Sequence, residues 1–506
     1  MQKVINYLYL IYMFGVYPVI THNKYFDITI TRYHAFLYGA CAFIFLTAIS
    51  AIVKLSMGEK LTPRFAWKKN PIGEPELWVL LFLLANFVSA IVTDDPREAM
   101  FGEQSRHMGV LIYFVFAVMI LVMSGGFEVA EEIFLVFAAS SAYAYIVAIF
   151  QHMEIDFMHY KDNIKKDLYN KFISTFGNIN MFAGFLCVSI PIFLAMFIFS
   201  KKLYMRITAG VLITMGGMVI MISNSDSVYV GLAVATVVLL VLAIKEGYVG
   251  HFMFGYSFLA LGNLFLTLIN TYAHTRYDKK RGGLALALNR IDVAVLFVVF
   301  MALATVVVYL LRKVYGDKIA KINKKAIIIA VIVCAALFGI AFFIYGAFIR
   351  GSSLFKLNYK WGSYRGYIWT KMVELFRDAS PINKIFGHGN ESVRTLMNTY
   401  YYTEMISVTH MAYDNAHCEL LQYLICNGIF GLVAYVGMIV TSIAYIWKNA
   451  NGKPVAYMSL VAIIGYLGQS LLSLNQPIST PFLFLFIGLG LGYATIQKKA
   501  IETEAK

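Results

Sequence analysis

MFAGFLCVSIPIFLAMFIFS, residues 181–200, runs for twenty positions without one charged side chain. As a helix rising 1.5 Å per residue it covers about 30 Å, the depth of a bilayer's hydrocarbon core. Comparable runs lie outward from it on both sides, near 5–21, 34–53, 77–92, 108–123, 133–150, 207–222, 228–244, 252–269, 291–311, 326–349, 420–447, 456–474 and 481–496. The pattern predicts an all-α polytopic membrane protein with about fourteen transmembrane helices.

Composition agrees. Of 506 residues, 60% are apolar and 14% charged, with a mean hydropathy of +0.69; a soluble chain of this size needs more polar surface. The 34 Tyr and 40 Phe suit interfacial belts and a packed bundle. The formal charge of +14 fits basic loops that meet anionic lipid head groups, so membrane lipids are expected as partners and nucleic acid is not. No Gly- or Ser-rich linker divides the chain, which reads as one integral domain over 1–506. Cys41, Cys187, Cys334, Cys418 and Cys426 form no CxxC pair, so neither a disulfide framework nor a metal knot is indicated. The first apolar run follows Lys3 and lacks a small-residue cleavage site at Tyr17-Pro18-Val19-Ile20, so it is expected to be an anchor.

Basic residues orient the spans. Lys54, Lys60, Arg64, Lys68 and Lys69 fall in one loop, Lys201, Lys202 and Arg206 in a turn, and Arg312, Lys313, Lys318, Lys321, Lys324 and Lys325 in another loop. Alternation of fourteen helices puts these three on one side, the cytoplasmic one, with both termini. The loop 271–290 then lies outside although it holds Arg276, Lys279, Lys280, Arg281 and Arg290. Either a helix is miscounted there, or that surface is basic because its ligand is anionic. The long hydrophilic stretch 350–416 also lies outside. In it Ile368, Met372, Val373 and Phe376 form a helical stripe, Asp378, Ser380 and Pro381 end that helix, and Gly387-His-Gly389 turns into a second helix capped by Asn390 or Ser392. A folded exterior loop over a bundle is where a site is expected.

Four stretches together resemble the O-antigen ligase and Wzy-type polymerase superfamily. They are Ser89-Ala-Ile-Val-Thr-Asp-Asp-Pro96 with Phe101-Gly-Glu-Gln-Ser-Arg106-His-Met-Gly109; Thr175-Phe-Gly-Asn178-Ile-Asn180-Met-Phe-Ala-Gly184; Arg365-Gly-Tyr-Ile-Trp369 leading to Phe386-Gly-His-Gly389; and Ala416-His417-Cys-Glu-Leu-Leu-Gln422 with Gly428-Ile-Phe-Gly431. The resemblance implies a fold like that of GT-C-type membrane glycosyltransferases, in the bacterial cytoplasmic (inner) membrane, with a site facing the periplasm or exterior. It implies transfer of a saccharide from an undecaprenyl-diphosphate-linked donor to a lipid, glycan or cell-wall acceptor, as ligase or polymerase. A flippase or exporter of lipid-linked saccharides is the alternative; the asymmetric exterior loop favours an enzyme. The family's Ser-Arg-Gly is missing: the corresponding stretch reads Ser223-Asn-Ser-Asp226, so Arg276 or Arg281 is the candidate replacement for its phosphate-holding Arg.

Such chemistry needs cations for the departing diphosphate and a base for the acceptor hydroxyl. His417, with Glu419 and Asp414 near in sequence to orient it, is the candidate base; a helix-capping histidine is the structural alternative. Arg365 and Arg106 are candidate phosphate contacts, since a guanidinium fork holds two oxygens at once; a solvated loop charge and an interfacial snorkel are their alternatives. Asn178 and Asn180 are candidates for sugar contacts or for capping the next helix. Asp226 is either a site residue or polar glue within the bundle. Asp94-Asp95 is an acidic pair in an exterior loop that could hold a metal, but Asp95-Pro96 reads equally as a turn and the other His, Asp and Glu are scattered, so no metal and no cofactor are expected.

Overall fold

The computed structural model describes residues 1–58, 71–272, 289–320, 323–344, 358–450 and 452–504, and no strand occurs among them. In chain order the helices are α1 (Gln2–Ile11), α2 (Ile28–Ser56), α3 (Pro75–Val92), α4 (Pro96–Phe101), α5 (Val110–Ser124), α6 (Phe134–His152), α7 (Ile179–Phe199), α8 (Leu203–Ser223) and α9 (Asp226–Glu246). There follow α10 (Val249–Tyr272), α11 (Ile291–Ala320), α12 (Lys324–Ile344), α13 (Trp361–Asp378), α14 (Pro381–Phe386), α15 (Ser392–Thr409), α16 (Glu419–Asn449), α17 (Pro454–Ser470) and α18 (Thr480–Glu504). Eleven of those described are long and apolar enough to cross a membrane: α2, α3, α6 to α12, α16 and α18. The other three of the expected fourteen are shorter. Val110–Ser124 and Pro454–Ser470 are apolar but brief, and the first run yields only the ten residues of α1 and a π-helical turn, Tyr12–Val16.

The run that opened the reading is the hub. α7 is apolar on every side, so no face is reserved for water, and every residue from Met181 to Phe199 is buried. It packs on α8, α9 and α17. α8 crosses α10 where two glycines meet: a Cβ on Gly262 would stand 1.8 Å from the Thr214 carbonyl oxygen. With lipid as apolar as leucine, such close backbone contact is what holds membrane helices together. Elsewhere α3 packs on α16 and α5 on α18, while α11 and α12 lie at the rim with Leu296, Phe300, Ile329 and Leu337 exposed.

The turns sort to two ends. At one end Lys324 donates to the Lys245 carbonyl (3.1 Å), Arg312 to that of Gly247 (3.4 Å), and Tyr457 to Glu246 (2.5 Å), while Lys202 meets Glu132. The basic residues Arg206 and Arg312 share this end, both within electrostatic range of His251. At the other end the residues after α1 join those before α18, Tyr17 donating to the Pro477 carbonyl. Arg32 of α2, fully buried, donates to the carbonyls of Tyr17, Pro18 (3.0 Å) and Thr175 (2.9 Å).

Helices α13, α14 and α15 cover that second end. Their packing corrects the sequence reading in two places. The buried stripe of α13 is Tyr367, Ile368, Lys371, Met372 and Leu375; Val373 is 59% exposed, because it sits a further 100° round the helix. Lys371, absent from the expected stripe, is buried in it, held by Glu374 and Glu404 at 3.0 Å each and lying over the Tyr401 ring. The N-cap of α15 is Glu391 in left-handed conformation (φ 62°), not Asn390 or Ser392. Asp378 does end α13, and Ser380 then caps the short α14 by accepting from the Asn383 N–H (3.2 Å).

α16 is broken. Gly428 takes φ 68°, ψ −170°, conformations open to glycine alone, which leaves Gly428 to Asn449 as the run of membrane length, about 30 Å. The carbonyls released at the break find partners in the α14–α15 turn: His388 N–H donates to Ile425 O (3.0 Å) and Gly389 N–H to Cys426 O (2.9 Å). Ser89 of α3 also donates to Cys426 O, and Thr93 to His388 O (2.6 Å). Asn427 bridges Asn390 (2.9 Å) and Asn86 (3.3 Å). Unpaired backbone at membrane depth survives only where protein supplies such partners.

Candidate functional site

The site end gathers side chains from four segments. Residues 102–109 enter α5 and carry Arg106. Gly362, Ser363 and Tyr364, all left-handed (φ 56°, 59° and 69°), deliver Arg365 into α13. Residues 410–418 lead to α16 and carry Asp414 and His417. The Asn224–Asp226 turn opens α9.

Arg106 is the best-anchored member. Its Nη2 meets Asp414 Oδ1 at 2.8 Å, its Nη1 donates to Gln476 Oε1 at 3.2 Å, and its backbone N–H donates to Glu391 Oε2 at 3.3 Å. Its Nε is buried without a partner. Arg365 donates from Nη1 to the Gly362 carbonyl (2.9 Å), and its Nε is likewise buried and unpartnered. Burial lowers its pKa, and the charge of Asp226 opposes that.

His417 lies within electrostatic range of both cations. Its backbone is left-handed (φ 50°), its N–H donates to Asn415 Oδ1 (2.9 Å), and its ring stands edge-on to Tyr413, centroids 5.6 Å apart. Its neighbours are fixed on every side. Asn415 Nδ2 reaches Asn475 Oδ1 (3.5 Å), Trp369 Nε1 donates to Ala416 O (3.1 Å), and Ala416 N–H donates to Gln422 Oε1 (2.9 Å). Burial first, then Arg365 and Arg106, push its pKa down to about 3, with Asp414 opposing. The imidazole is therefore neutral at ordinary pH, with a lone pair to offer. Non-glycine residues in left-handed backbone, each costing roughly 1–3 kcal/mol, recur around this site at Ser363, Tyr364, Glu391, His410 and His417.

The other expected residues fall differently. Glu419 does not turn towards His417: it is fully buried in the bundle, its Oε1 accepting from Tyr423 at 3.1 Å. Tyr423 is linked on to Tyr113 (3.4 Å) and Tyr113 to Asn475 (2.8 Å), so the pair is joined through a polar chain rather than directly. The reason is helical: as the first residue of α16, Glu419 is carried round to its buried face. Asn178 caps α7, accepting from the Asn180 N–H at 2.8 Å. Asn180 Oδ1 accepts from Ser225 (2.9 Å), beside Asp226. Asp95 caps α4 through the Glu98 N–H at 3.1 Å. Arg276 and Arg281 lie outside the described residues, as does the 350–357 part of the expected loop. Among the described residues no three His, Cys, Asp or Glu side chains gather as a metal site.

Two contributors were missed in the sequence. Glu391 is 2% exposed, and burial raises its pKa to about 8 against the pull of Arg106. Its place after Asn390 in a polar loop gave no hint of burial. The turn 469–480 supplies Gln469, Ser470, Ser473, Asn475, Gln476, Ser479 and Thr480, all buried. Seven polar residues between two apolar helices was a signal available in the sequence.

Residues 282–436 match the family model described as O-Antigen ligase. Among curated proteins, none matches the chain. The matched segment holds Arg365, Asp414, His417 and the break at Gly428, and its partner Arg106 comes from outside it. That match supports the O-antigen ligase and Wzy-type polymerase superfamily and a ligase or polymerase role in general, and the apolar helices make this a multi-pass membrane protein.

Proposed function

We propose that the chain transfers a saccharide from an undecaprenyl-diphosphate-linked donor to an acceptor hydroxyl at the outer face of the cytoplasmic membrane. The observation that carries this reading is the convergence of Arg106, Arg365 and His417 at one end of the bundle. The basic turns gather at the opposite end, which the Lys/Arg bias assigns to the cytoplasm.

In this reading the two guanidiniums hold the diphosphate, exchanging their present carboxylate neighbours, Asp414 and Asp226, for phosphate oxygens. Arg276 and Arg281 add further cations, and Asn180 with Asp226 contacts the sugar. The acceptor oxygen attacks the anomeric carbon as the bond to diphosphate breaks, and its proton passes to the imidazole of His417. A base with so low a pKa is weak. The seated diphosphate corrects this, because its negative charge offsets the arginines that hold the pKa down. Donor and base are thereby coupled. Glu419 acts as a positioning residue, through Tyr423, Tyr113, Asn475 and Asn415. Two arginines do the work a divalent cation does elsewhere, so no metal is required.

The test is transfer by the purified protein supplied with an undecaprenyl-diphosphate saccharide and a candidate acceptor. Release of undecaprenyl diphosphate with formation of glycosylated acceptor supports the reading. Movement of the intact donor between leaflets, with no transfer, would replace it by a flippase.

A further inference from the structure

At the end of the bundle away from the site, α7, α8 and α10 leave an apolar groove of about 370 Å³. Phe197, Ile207, Val211, Phe254 and Phe258 line it, with Arg206 among them. Ile207, Val211 and Phe254 are exposed, so the groove opens sideways from the bundle. Arg206 belongs to the first turn of α8, next to the basic turn, and its guanidinium lies over the Phe197 ring, 5.2 Å from the centroid. No ion pair among the described residues involves it, and its Nε is buried with no hydrogen bond. The acids nearby in the fold are engaged elsewhere: Glu131 and Glu132 by Lys202, Glu246 by Lys245 and Tyr457.

A second buried nitrogen without a partner lies three residues before Phe254 of the lining. His251 of α10 lies within electrostatic range of Arg206 and Arg312, packs edge-on against Tyr248 at 5.4 Å, and leaves Nδ1 without a hydrogen bond. Buried polar groups without partners carry a desolvation cost that an arriving acceptor removes. An anion joined to an apolar chain meets both needs.

We propose that this groove seats one anionic glycerophospholipid, its phosphate on Arg206 and His251 and an acyl chain along Ile207, Val211, Phe254 and Phe258. The diphosphate of a donor held at the site end is excluded from this position, because α8 spans about 30 Å between them. The seat therefore belongs to a lipid of the leaflet at the basic end, where anionic head groups and cationic side chains meet.

The test is native mass spectrometry of the full-length protein in detergent, titrated with phosphatidylglycerol or with phosphatidylcholine of the same chains. Wild type should retain one phosphatidylglycerol on the order of tenfold more tightly than phosphatidylcholine. Arg206→Gln should abolish that preference. Val211→Trp, on the exposed wall, should displace both lipids, and it keeps the test valid if the Gln variant does not fold. Equal retention of the two lipids by wild type, an undiminished preference in Arg206→Gln, or undiminished binding in Val211→Trp would each overturn the seat. So would displacement of the lipid by an undecaprenyl diphosphate at equal concentration.

Discussion

Arg106 and Asp414 lie 308 residues apart in the chain and meet at 2.8 Å, each partly exposed at the site end. The same guanidinium reaches Gln476 with its other terminal nitrogen. A planar fork aims donors from two separate nitrogens in a fixed geometry, which the single nitrogen of an ammonium cannot reproduce. Arg106→Lys is therefore expected to lower transfer about as far as Arg106→Ala, and Arg365→Lys about as far as Arg365→Ala. A charge-assisted hydrogen bond is worth roughly 1.5–3 kcal/mol, which corresponds to a loss on the order of ten- to a hundredfold. Full activity in both Lys variants would reduce these residues to solvated charges.

His417→Ala should remove transfer by about 10²–10⁴-fold while donor binding persists. His417→Gln keeps a hydrogen-bonding side chain but takes up no proton at neutral pH, so it should fail similarly. Turnover and melting temperature in detergent are read for both. A capping histidine gives the opposite pattern, with Gln active and Ala mainly less stable.

Stability should show two pH limbs of opposite sign. The pKa of Glu391 is raised to about 8 on folding, so the native state keeps a proton that the unfolded chain releases. Its contribution is full below about pH 4.3 and is lost as pH rises towards 8. His417 is depressed to about 3, so the unfolded chain binds a proton that the native state refuses, and stability falls as pH drops from about 6.5 towards 3. Glu391→Gln should flatten the first limb and His417→Gln the second, measured as melting temperature across pH 4 to 8.5. Unchanged profiles in both variants count against these assignments.

Gly428→Ala should be severely destabilising. Its Cβ would stand 2.3 Å from the Ile385 carbonyl oxygen, in a backbone conformation that itself costs roughly 1–3 kcal/mol for a non-glycine residue. Gly316→Ala in α11, where nothing lies within 4 Å, is the control and should be neutral. Equal melting temperatures for the two variants would mean that the break in α16 is not held as described.

Topology can be read by labelling. In a Cys-free background, Thr395→Cys on the exposed side of α15 should react with an impermeant thiol reagent in intact cells, and Lys324→Cys only after lysis. The reverse order would turn the protein over in the membrane and, with it, the proposed side of transfer.

Motifs proved more legible than roles. Ser89, Gly387-His-Gly389 and Gly428 were each noted for their place in a pattern, and they meet at one joint, where backbone groups of α16 are re-paired. Asn178 took the capping alternative, and Asp95, read as a turn or half of an acidic pair, also caps a helix, since a helix start always leaves N–H groups seeking an oxygen. Glu419 was expected beside His417 from adjacency, yet as the first residue of a helix its side chain already faces elsewhere.

By itself the sequence determined the all-helical membrane fold, because an apolar run of bilayer length leaves the backbone no other way to pair its own N–H and C=O groups. It also determined where hydrophilic segments leave the bilayer, and so which residues were available for a site. Only the tertiary structure decided that Arg106, Arg365, His417 and Glu391 share one neighbourhood, that the polar turn 469–480 underlies it, and that α16 breaks at Gly428. Hydropathy is a property of each segment alone, whereas these contacts join residues hundreds of positions apart and depend on how helices cross and rotate against each other.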